Sequence, residues 1–398
     1  MKRAAVFMAI YLGCDKPAGQ ENQACEDAGM CTRELVSGLD TVDDLDADDN
    51  NLVFMSNGDV MRYSLEIGEL SVFRSSQEDG VSYSSPRVSG NRVALKKYVN
   101  GGIFEYGVYS LDGTELGARI FNVGRDQEFS RLGFKLSGDY LVYLRFAEDT
   151  NFGLGYEDPS EWDIVVAKLE EQESGLAFNE LVLGRGSLWS QFDINELGEI
   201  SVIFADSRGL LVSESCRKQL FSYRISQRSE TPRVLYTTDI FQSDICDYIW
   251  VNNPSSGFGY VVFEVSWFGG HGNSVGTHIF IARADDPSVF SPLAGEGDQL
   301  SLPDVQLVSR PQIRRQLVTW LDRHADPHSP NIAVRHLYGY DRYDEKSHPE
   351  HIFVFDESYS IAPPENQVIY DYVLLTDKVL WVTRDTDGEH HIYLTEIN

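Results

Sequence analysis

The stretch QVIYDYVLLTDKVLWVTRDTDGEHHIYLTEIN, Gln367 to Asn398, shows most clearly how this chain folds. Apolar residues cluster around Val379 to Thr383, and Asp385 to Gly388 has the composition of a tight turn. The stretch therefore predicts three consecutive antiparallel strands. Earlier copies of the same pattern have a fourth strand, so we expect the missing strand of this last copy to come from another part of the chain.

The same succession of apolar runs and polar turns recurs about seven times from Asp40 onward, with units of about fifty residues. Two clear copies are LDADDNNLVFMSNGDVMRYSLEIGELSVF, at Leu45 to Phe73, and PRVSGNRVALKKYVNGGIFEYGVYSLDGTELGARIF, at Pro86 to Phe121. No long helical pattern lies between the units. Because radially arranged sheets bury both faces against their neighbours, the repeat predicts a ring of similar sheets.

The pattern resembles the β-propeller class, in particular the exported bacterial propellers related to TolB and to WD-repeat rings. The resemblance covers Glu34 to Asn398, although regular Trp-Asp, Gly-His and Ser-Pro-Asp-Gly signatures are absent. It implies an all-β propeller with seven four-stranded blades as the first expectation and six or eight as alternatives. Glu34 to Gly38 resembles Glu180 to Gly184, the outer strand of the third unit, so we expect it to complete the last blade beside His391 to Ile397.

Composition excludes two classes of protein. Of the 398 residues, 42% are hydrophobic and 12% aromatic, which is ample for a packed core and argues against a disordered chain. The formal net charge of −29 repels phosphate backbones and anionic lipid surfaces. Nucleic acid is therefore not an expected partner, and we expect a monomer.

The N-terminal sequence MKRAAVFMAIYLGC predicts export. Lys2 and Arg3 precede a short apolar run, as in a signal peptide over residues 1–13. The end of this segment resembles a bacterial lipoprotein signal, which implies lipidation of Cys14 and a periplasmic or outer-membrane-anchored location; an ordinary secretory signal is the alternative. Residues 14–33 would then be a tether, residues 34–398 the propeller, and the lipid the only contact with a membrane.

Four further cysteines are an even number, as expected for disulfide bonds in an oxidising compartment. Their spacing favours a small loop closed by Cys25 and Cys31, and a bridge between Cys216 and Cys246. Buried free thiols are the alternative, above all for the second pair.

Three motifs partly match known catalytic or metal-binding patterns. Gly272 to Gly276 matches the G-x-S-x-G pattern of serine hydrolases, but a strand pattern follows where the nucleophile elbow needs a helix, so we expect a loop. The acidic run Asp40 to Asn51 departs from a calcium loop at two obligatory positions and predicts an inner strand with a turn. His324, Asp326 and His328 offer ligands for a divalent metal but lack an accompanying metal motif. We therefore expect no cofactor.

The sequence-based prediction of function is a non-enzymatic binding or assembly scaffold at the bacterial cell envelope, with an envelope protein or a glycan as the partner. The alternative is a propeller glycan hydrolase or lyase with carboxylates at the central channel. Long loops between the second and third strands of units three to six would form the binding face. These predicted loops are Glu148 to Glu161, Ser207 to Lys218, Trp267 to Gly276 and Arg323 to Asn331. The residues predicted to contact the partner are Phe152, Tyr156, Trp267, Phe268, His271, His324 and His328.

Overall fold

A computed structural model describes most of the chain from Met30 to Ile397. The described ranges are 30–99, 103–122, 133–146, 162–173, 175–186, 191–195, 199–205, 218–224, 233–237, 249–268, 274–286, 290–294, 308–323, 328–340 and 353–397. Within them, no helix is long and apolar enough to cross a membrane. One short helix, α1 at Ser76–Asp79, ends at Gly80, whose φ of 66° is left-handed.

The described strands form seven four-stranded antiparallel sheets. We call the sheets blades and number them in chain order. Blade 1 comprises β2 (Asp43–Ala47), β3 (Asn51–Ser56), β4 (Asp59–Ser64) and β5 (Glu69–Arg74). Blade 2 comprises β6 (Ser82–Ser89), β7 (Arg92–Val99), β8 (Ile103–Ser110) and β9 (Glu115–Asn122). Blade 3 comprises β10 (Phe134–Ser137), β11 (Tyr140–Phe146), β12 (Trp162–Gln172) and β13 (Gly175–Gly186). Blade 4 comprises β14 (Gln191–Ile194), β15 (Glu199–Ala205), β16 (Lys218–Arg224) and β17 (Arg233–Thr237).

The remaining blades follow the same order. Blade 5 comprises β18 (Ile249–Gly257), β19 (Tyr260–Phe268), β20 (Ser274–Arg283) and β21 (Phe290–Ala294). Blade 6 comprises β22 (Val308–Arg314), β23 (Leu317–Asp322), β24 (Asn331–Tyr340) and β25 (Phe353–Ile361). Blade 7 comprises β26 (Gln367–Leu374), β27 (Lys378–Asp385), β28 (His390–Ile397) and, as its outer strand, β1 (Met30–Leu39).

The first strands of the blades contact one another in chain order, and β26 also contacts β2. The sheets therefore surround a common centre, with the first strand of each blade innermost. The prediction of an all-β propeller with four-stranded blades is confirmed. The acidic run at Asp43–Ala47 is an inner strand, as predicted, rather than a calcium loop.

The hydrophobic core lies between neighbouring blades. The second strands are apolar on both faces, and all six residues of β3, Asn51–Ser56, are buried. One core cluster joins Trp320, Val262 and Ile279, from blades 5 and 6. Another joins Trp381 in blade 7 to Ile332 in blade 6. Sheets that bury both faces read as continuous apolar runs, which explains why this pattern was visible in the sequence.

The N-terminal strand completes the last blade, as predicted. β1 pairs antiparallel with β28, with Glu34 opposite Tyr393 and Leu39 opposite His390. Its first residue is Met30, so the propeller begins earlier than the predicted start at Glu34. Cys31 in this strand is disulfide-bonded. Its partner lies outside the described residues, so the pairing with Cys25 stays a prediction.

An ionisable cluster joins β1 to blade 7. His391 Nδ1 lies 2.9 Å from Glu34 Oε1, and His391 Nε2 lies 3.2 Å from Asp385 Oδ2. Burial lowers the pKa of His391, but the hydrogen bonds to the two carboxylates outweigh burial and leave this pKa above its usual value. The protonated imidazole can donate to both carboxylates at once, which links the two ends of the chain.

Candidate functional site

A cavity lies at the centre of the ring. It has a volume of about 770 Å³ and is lined by the inner strands of all seven blades. We call this cavity the central channel. Known ligand pockets have volumes of about 300–1,000 Å³, so its size suits a small molecule or a few residues of extended peptide. A folded protein domain would not fit.

The inner strands face the channel with the same register because most of them carry a β-bulge. In blades 2, 5 and 6, the bulge contains a residue with positive φ followed by proline: Ser85 with φ 51°, Asn253 with φ 48° and Arg310 with φ 53°. A bulge of this kind redirects the side chains of its strand. The prolines Pro86, Pro254 and Pro311 therefore mark where an inner strand turns its polar residues toward the channel.

The sequence contains a signal for the channel-facing positions of blades 2, 5 and 6. Pro86, Pro254 and Pro311 each precede, at the same spacing, a fully buried valine of the second strand. These valines are Val93, Val261 and Val318. The repeated spacing locates the channel-facing residue one position after each proline, because backbone register is shared between equivalent blades.

One polar or charged side chain at this register faces the channel in each of blades 1 to 6, immediately before a buried residue near the end of the inner strand. These side chains are Asp46, Arg87, Lys135, Asp193, Ser255 and Gln312. Five of them form a hydrogen bond to the backbone of the following blade. Lys135 is the exception.

Four of the five accept a backbone amide hydrogen. Asp46 Oδ2 accepts from Val88 N at 2.8 Å, and Asp193 Oδ2 accepts from Ser256 N at 2.9 Å. Ser255 Oγ and Gln312 Oε1 accept equivalent amides, of Ile313 at 3.1 Å and of Leu374 at 2.7 Å. These bonds satisfy amides of the first strands, which lie at the edge of their sheets, and they join one blade to the next.

The cationic side chains behave differently. Arg87 donates through Nε to the carbonyl oxygen of Phe134 at 3.3 Å and through Nη1 to that of Pro86 at 2.7 Å. Lys135 Nζ lies 4.0 Å from Asp193 Oδ1, which is beyond hydrogen-bonding distance. Its side chain is 42% exposed. Lys135 is thus the one of the six that contributes no hydrogen bond to the described wall of the channel.

Further positive charge lies behind this part of the wall. Arg87 Cζ lies 5.5 Å from the ring centroid of Phe134, and the buried ammonium of Lys96 lies 5.8 Å from the same centroid. Burial and the neighbouring Arg87 lower the pKa of Lys96 to about 8, so it is still largely protonated at neutral pH. Three positive charges therefore lie in or directly behind this part of the wall.

Two acidic residues of the channel, Asp46 and Asp371, have raised pKa values. Burial raises the pKa of Asp46, and the charges of Arg87 and Lys135 offset only part of this increase. Burial likewise raises the pKa of Asp371, which accepts a hydrogen bond from Arg310 Nη1 at 2.9 Å. Asp371 and Arg310 are therefore paired with each other on blades 7 and 6.

The charge balance of the channel differs from that of the whole chain. The chain has a formal net charge of −29. The channel lining has a small excess of basic side chains: Arg87, Lys135, Arg310, Arg314 and Arg315 against Asp46, Asp48, Asp193 and Asp371. Because a low-dielectric cleft focuses the field of its charges, the channel is less unfavourable to an anionic group than the net charge of the chain suggests.

The residues predicted to bind a partner do not form a described site. Phe152, Tyr156, His271 and His324 lie outside the described residues, as does Asp326. His328 is exposed in a turn. Trp267 and Phe268 belong to β19, not to a loop, because β19 pairs with β20 as far as Ser274. The predicted loop from Trp267 to Gly276 is therefore shorter than expected, and Ser274 begins a strand rather than a nucleophile elbow.

Other predicted sites remain untested. The signal peptide, Cys14 and Cys25 lie outside the described residues, as do Cys216 and Cys246. A different group with ligand chemistry, Asp385, Glu389 and His391, brings three ligand atoms within 4.8 Å of one another. His391 already uses both ring nitrogens for Glu34 and Asp385. We therefore assign this group to closure of the ring.

Comparison with known proteins bears on the fold. The sequence matches no protein-family model and no curated protein sequence. Solved structures do match. The uncomplexed acylaminoacyl peptidase of Pyrococcus horikoshii has a TM-score of 0.52 and 12% identity, over 90% of this chain and 51% of that one. The β-propeller domain of the Trilobed protease from Pyrococcus furiosus has a TM-score of 0.52 and 9% identity, over 91% and 94% of the two chains.

This chain has a β-propeller fold like theirs. A structure from a study of two prolyl endopeptidases is similar at a TM-score of 0.51 and 10% identity, over 92% of this chain and 48% of that one. The chain thus spans about half the length of the acylaminoacyl peptidase and the prolyl endopeptidase. The Trilobed protease domain is described as having an open velcro topology, whereas β1 closes blade 7 here.

These similarities correct the predicted function. The prediction of a non-enzymatic scaffold at the cell envelope is wrong, because the solved propellers similar to this chain are those of peptidases. The alternative of a propeller glycan hydrolase or lyase stays a prediction. The earlier prediction relied on analogy with a broad fold class, and the same fold supports many functions.

Proposed function

We propose that this protein is a peptidase-type propeller that binds short peptides in its central channel for cleavage by catalytic groups outside the propeller. The observation that carries the proposal is the channel itself, a cavity of about 770 Å³ inside a closed ring. The similarity to propellers of peptidases supports a peptide as the ligand.

The channel wall suits a peptide chemically. A peptide presents amide donors, carbonyl acceptors and charged ends. The wall offers carboxylates at Asp46 and Asp193 as well as cationic donors at Arg87 and Lys135. A pocket that combines a few convergent polar groups with a suitable volume is the expected form of a binding site.

The size of the channel also selects its ligand. Because the inner strands of adjacent blades are joined by hydrogen bonds such as Asp46 with Val88 and Asp193 with Ser256, widening the channel would break several such bonds. A narrow and rigid channel admits extended peptides and excludes folded proteins. A propeller of this kind would restrict a peptidase to short or unfolded substrates.

Isothermal titration calorimetry with N-acetylated trialanine, as the free acid and as the amide, tests the proposal. We expect at least one form to bind the purified protein and a folded protein of about 100 residues not to bind. Ser137→Trp should weaken binding, because Ser137 lines the channel. The matched control is Ser360→Trp, since Ser360 is exposed on the outer strand β25. Absence of binding by both peptide forms at millimolar concentration would refute the proposed function.

A further inference from the structure

Lys135 occupies a position that is structural in the other blades. At the equivalent register, Asp46, Asp193, Ser255 and Gln312 each accept a backbone amide of the next blade, and Arg87 donates to a backbone carbonyl. A side chain that joins two blades is held by the fold. Within the described part of the chain the Lys135 ammonium has no such bond, and it lies 4.0 Å from Asp193 Oδ1.

Arg87 offers a second donor toward the same space. Its Nε and Nη1 atoms are used by the carbonyl oxygens of Phe134 and Pro86, which leaves Nη2 without a hydrogen bond to the described part of the chain. Since Nε bonds to the residue immediately before Lys135, the guanidinium group lies beside the first residues of β10. Both cations line the central channel.

The flanking carboxylates limit what can bind between these two cations. Asp46 on blade 1 and Asp193 on blade 4 stand on either side of Arg87 and Lys135 in the order of the blades. Both line the channel, and Asp46 uses only one of its oxygens for a backbone amide. A polyanion would be repelled by them. A single carboxylate that is followed by amide N–H donors would pair with the cations and offer its amides to the acids.

We infer that Arg87 and Lys135 bind the carboxylate group of a peptide in the central channel. This inference rests on the proposed function and adds the chemical group that the channel recognises. The carboxylate can come from the C-terminus of the peptide or from an aspartate side chain. In either case two cations meet one anion in a partly enclosed space, where charge-assisted hydrogen bonds are strong.

Three peptides test the inference: N-acetylated trialanine acid, the corresponding amide, and N-acetylated Ala-Asp-Ala amide. We expect at least one carboxylate peptide to bind about tenfold to a hundredfold more tightly than trialanine amide, as hydrogen bonds to charged groups are worth about 1.5–3 kcal/mol. Preference for the acid would identify the C-terminus, and preference for the aspartate peptide would identify a side chain.

Lys135→Met should remove most of this preference, and Lys135→Arg should restore it. The matched control is Lys168→Met, because Lys168 has similar exposure, 39%, but lies on β12 and pairs with Glu170 outside the channel. Unfolding midpoints of the variants confirm that each folds. Equal affinity of the acid, the aspartate peptide and the amide for the unaltered protein would overturn the inference while leaving the proposed function intact.

Discussion

Removal of β1 should destabilise the whole ring. A deletion of residues 1–39 takes away the outer strand of blade 7 and exposes the edge of β28. The loss includes seven registered residue pairs between β1 and β28 and the hydrogen bond of 2.8 Å between Thr32 Oγ1 and Thr395 Oγ1. It also removes Leu35, Val36 and Leu39, which are partly buried against the core cluster of blades 1 and 7.

The magnitude can be worked from these contacts. Full burial of an aliphatic side chain is worth about 1.5–3 kcal/mol, so each of the three half-buried side chains contributes roughly 1 kcal/mol. Each hydrogen bond of the ladder adds a net of about 0.5–1.5 kcal/mol. The expected total is at least about 5 kcal/mol, which is a large part of the stability of an ordinary domain.

Urea unfolding followed by far-ultraviolet circular dichroism, in buffer without added oxidant or reductant, measures this loss. The control is a deletion of residues 1–16, which removes no described residue and should leave the unfolding midpoint nearly unchanged. For the longer deletion we expect a much lower midpoint and a decrease in melting temperature of about 10 °C or more. Equal midpoints for the two deletions would refute the conclusion that β1 closes the ring.

Three further predictions concern single residues. His391→Gln should reduce the pH dependence of stability, because the folded-state pKa of His391 is raised. The stability that protonated His391 contributes is complete below about pH 6 and is lost as the pH rises through the folded-state pKa. The unfolding free energies of the two proteins should therefore differ most at low pH and converge at high pH. Asp46→Ala should lower the free energy of unfolding by about 1–3 kcal/mol in a denaturant titration, because it leaves the Val88 amide without its acceptor. Asp46→Asn should lower it by less, since the amide oxygen of asparagine can still accept. Equal losses for the two variants would contradict the assigned role. Trp381→Ala should lower the free energy of unfolding by about 3–5 kcal/mol. Trp381 is 1% exposed, its ring stacks on that of Tyr393 with centroids 4.5 Å apart, and its Nε1 donates to Thr395 Oγ1 at 2.9 Å. A loss below about 1 kcal/mol would show that the blade can repack.

Much of the fold could be predicted because the second strand of each blade is buried on both faces. Runs such as Leu52 to Met55 and Val379 to Val382 are buried throughout, and such runs are visible in a single sequence. Closure of blade 7 could be predicted for a different reason. The segment Glu34 to Gly38 resembles an outer strand elsewhere in the chain, and the final unit is one strand short.

The channel residues could not be selected from the sequence by type alone. The chain has 62 acidic residues, and the orientation of a residue such as Asp46 depends on a bulge that shifts the register between Asp43 and Asp46. A shift of one residue moves every later side chain to the other face of the strand. The exceptional role of Lys135 appears only when its contacts are compared with those of the equivalent residues in other blades.

The function could not be predicted because a propeller fold supports many activities. The sequence-based choice of long surface loops as the binding face relied on their length and on their aromatic and histidine residues. Loops also lengthen without any ligand, because insertion costs little free energy. The channel, by contrast, combines enclosure, a defined volume and an unusual charge balance in one place.

A crystal structure of the protein with N-acetylated trialanine acid tests the central claim most directly. We predict electron density for the peptide inside the central channel, with its carboxylate within hydrogen-bonding distance of Lys135 Nζ and Arg87 Nη2. An empty channel in crystals that show the peptide bound on the outer face of the ring would contradict the account.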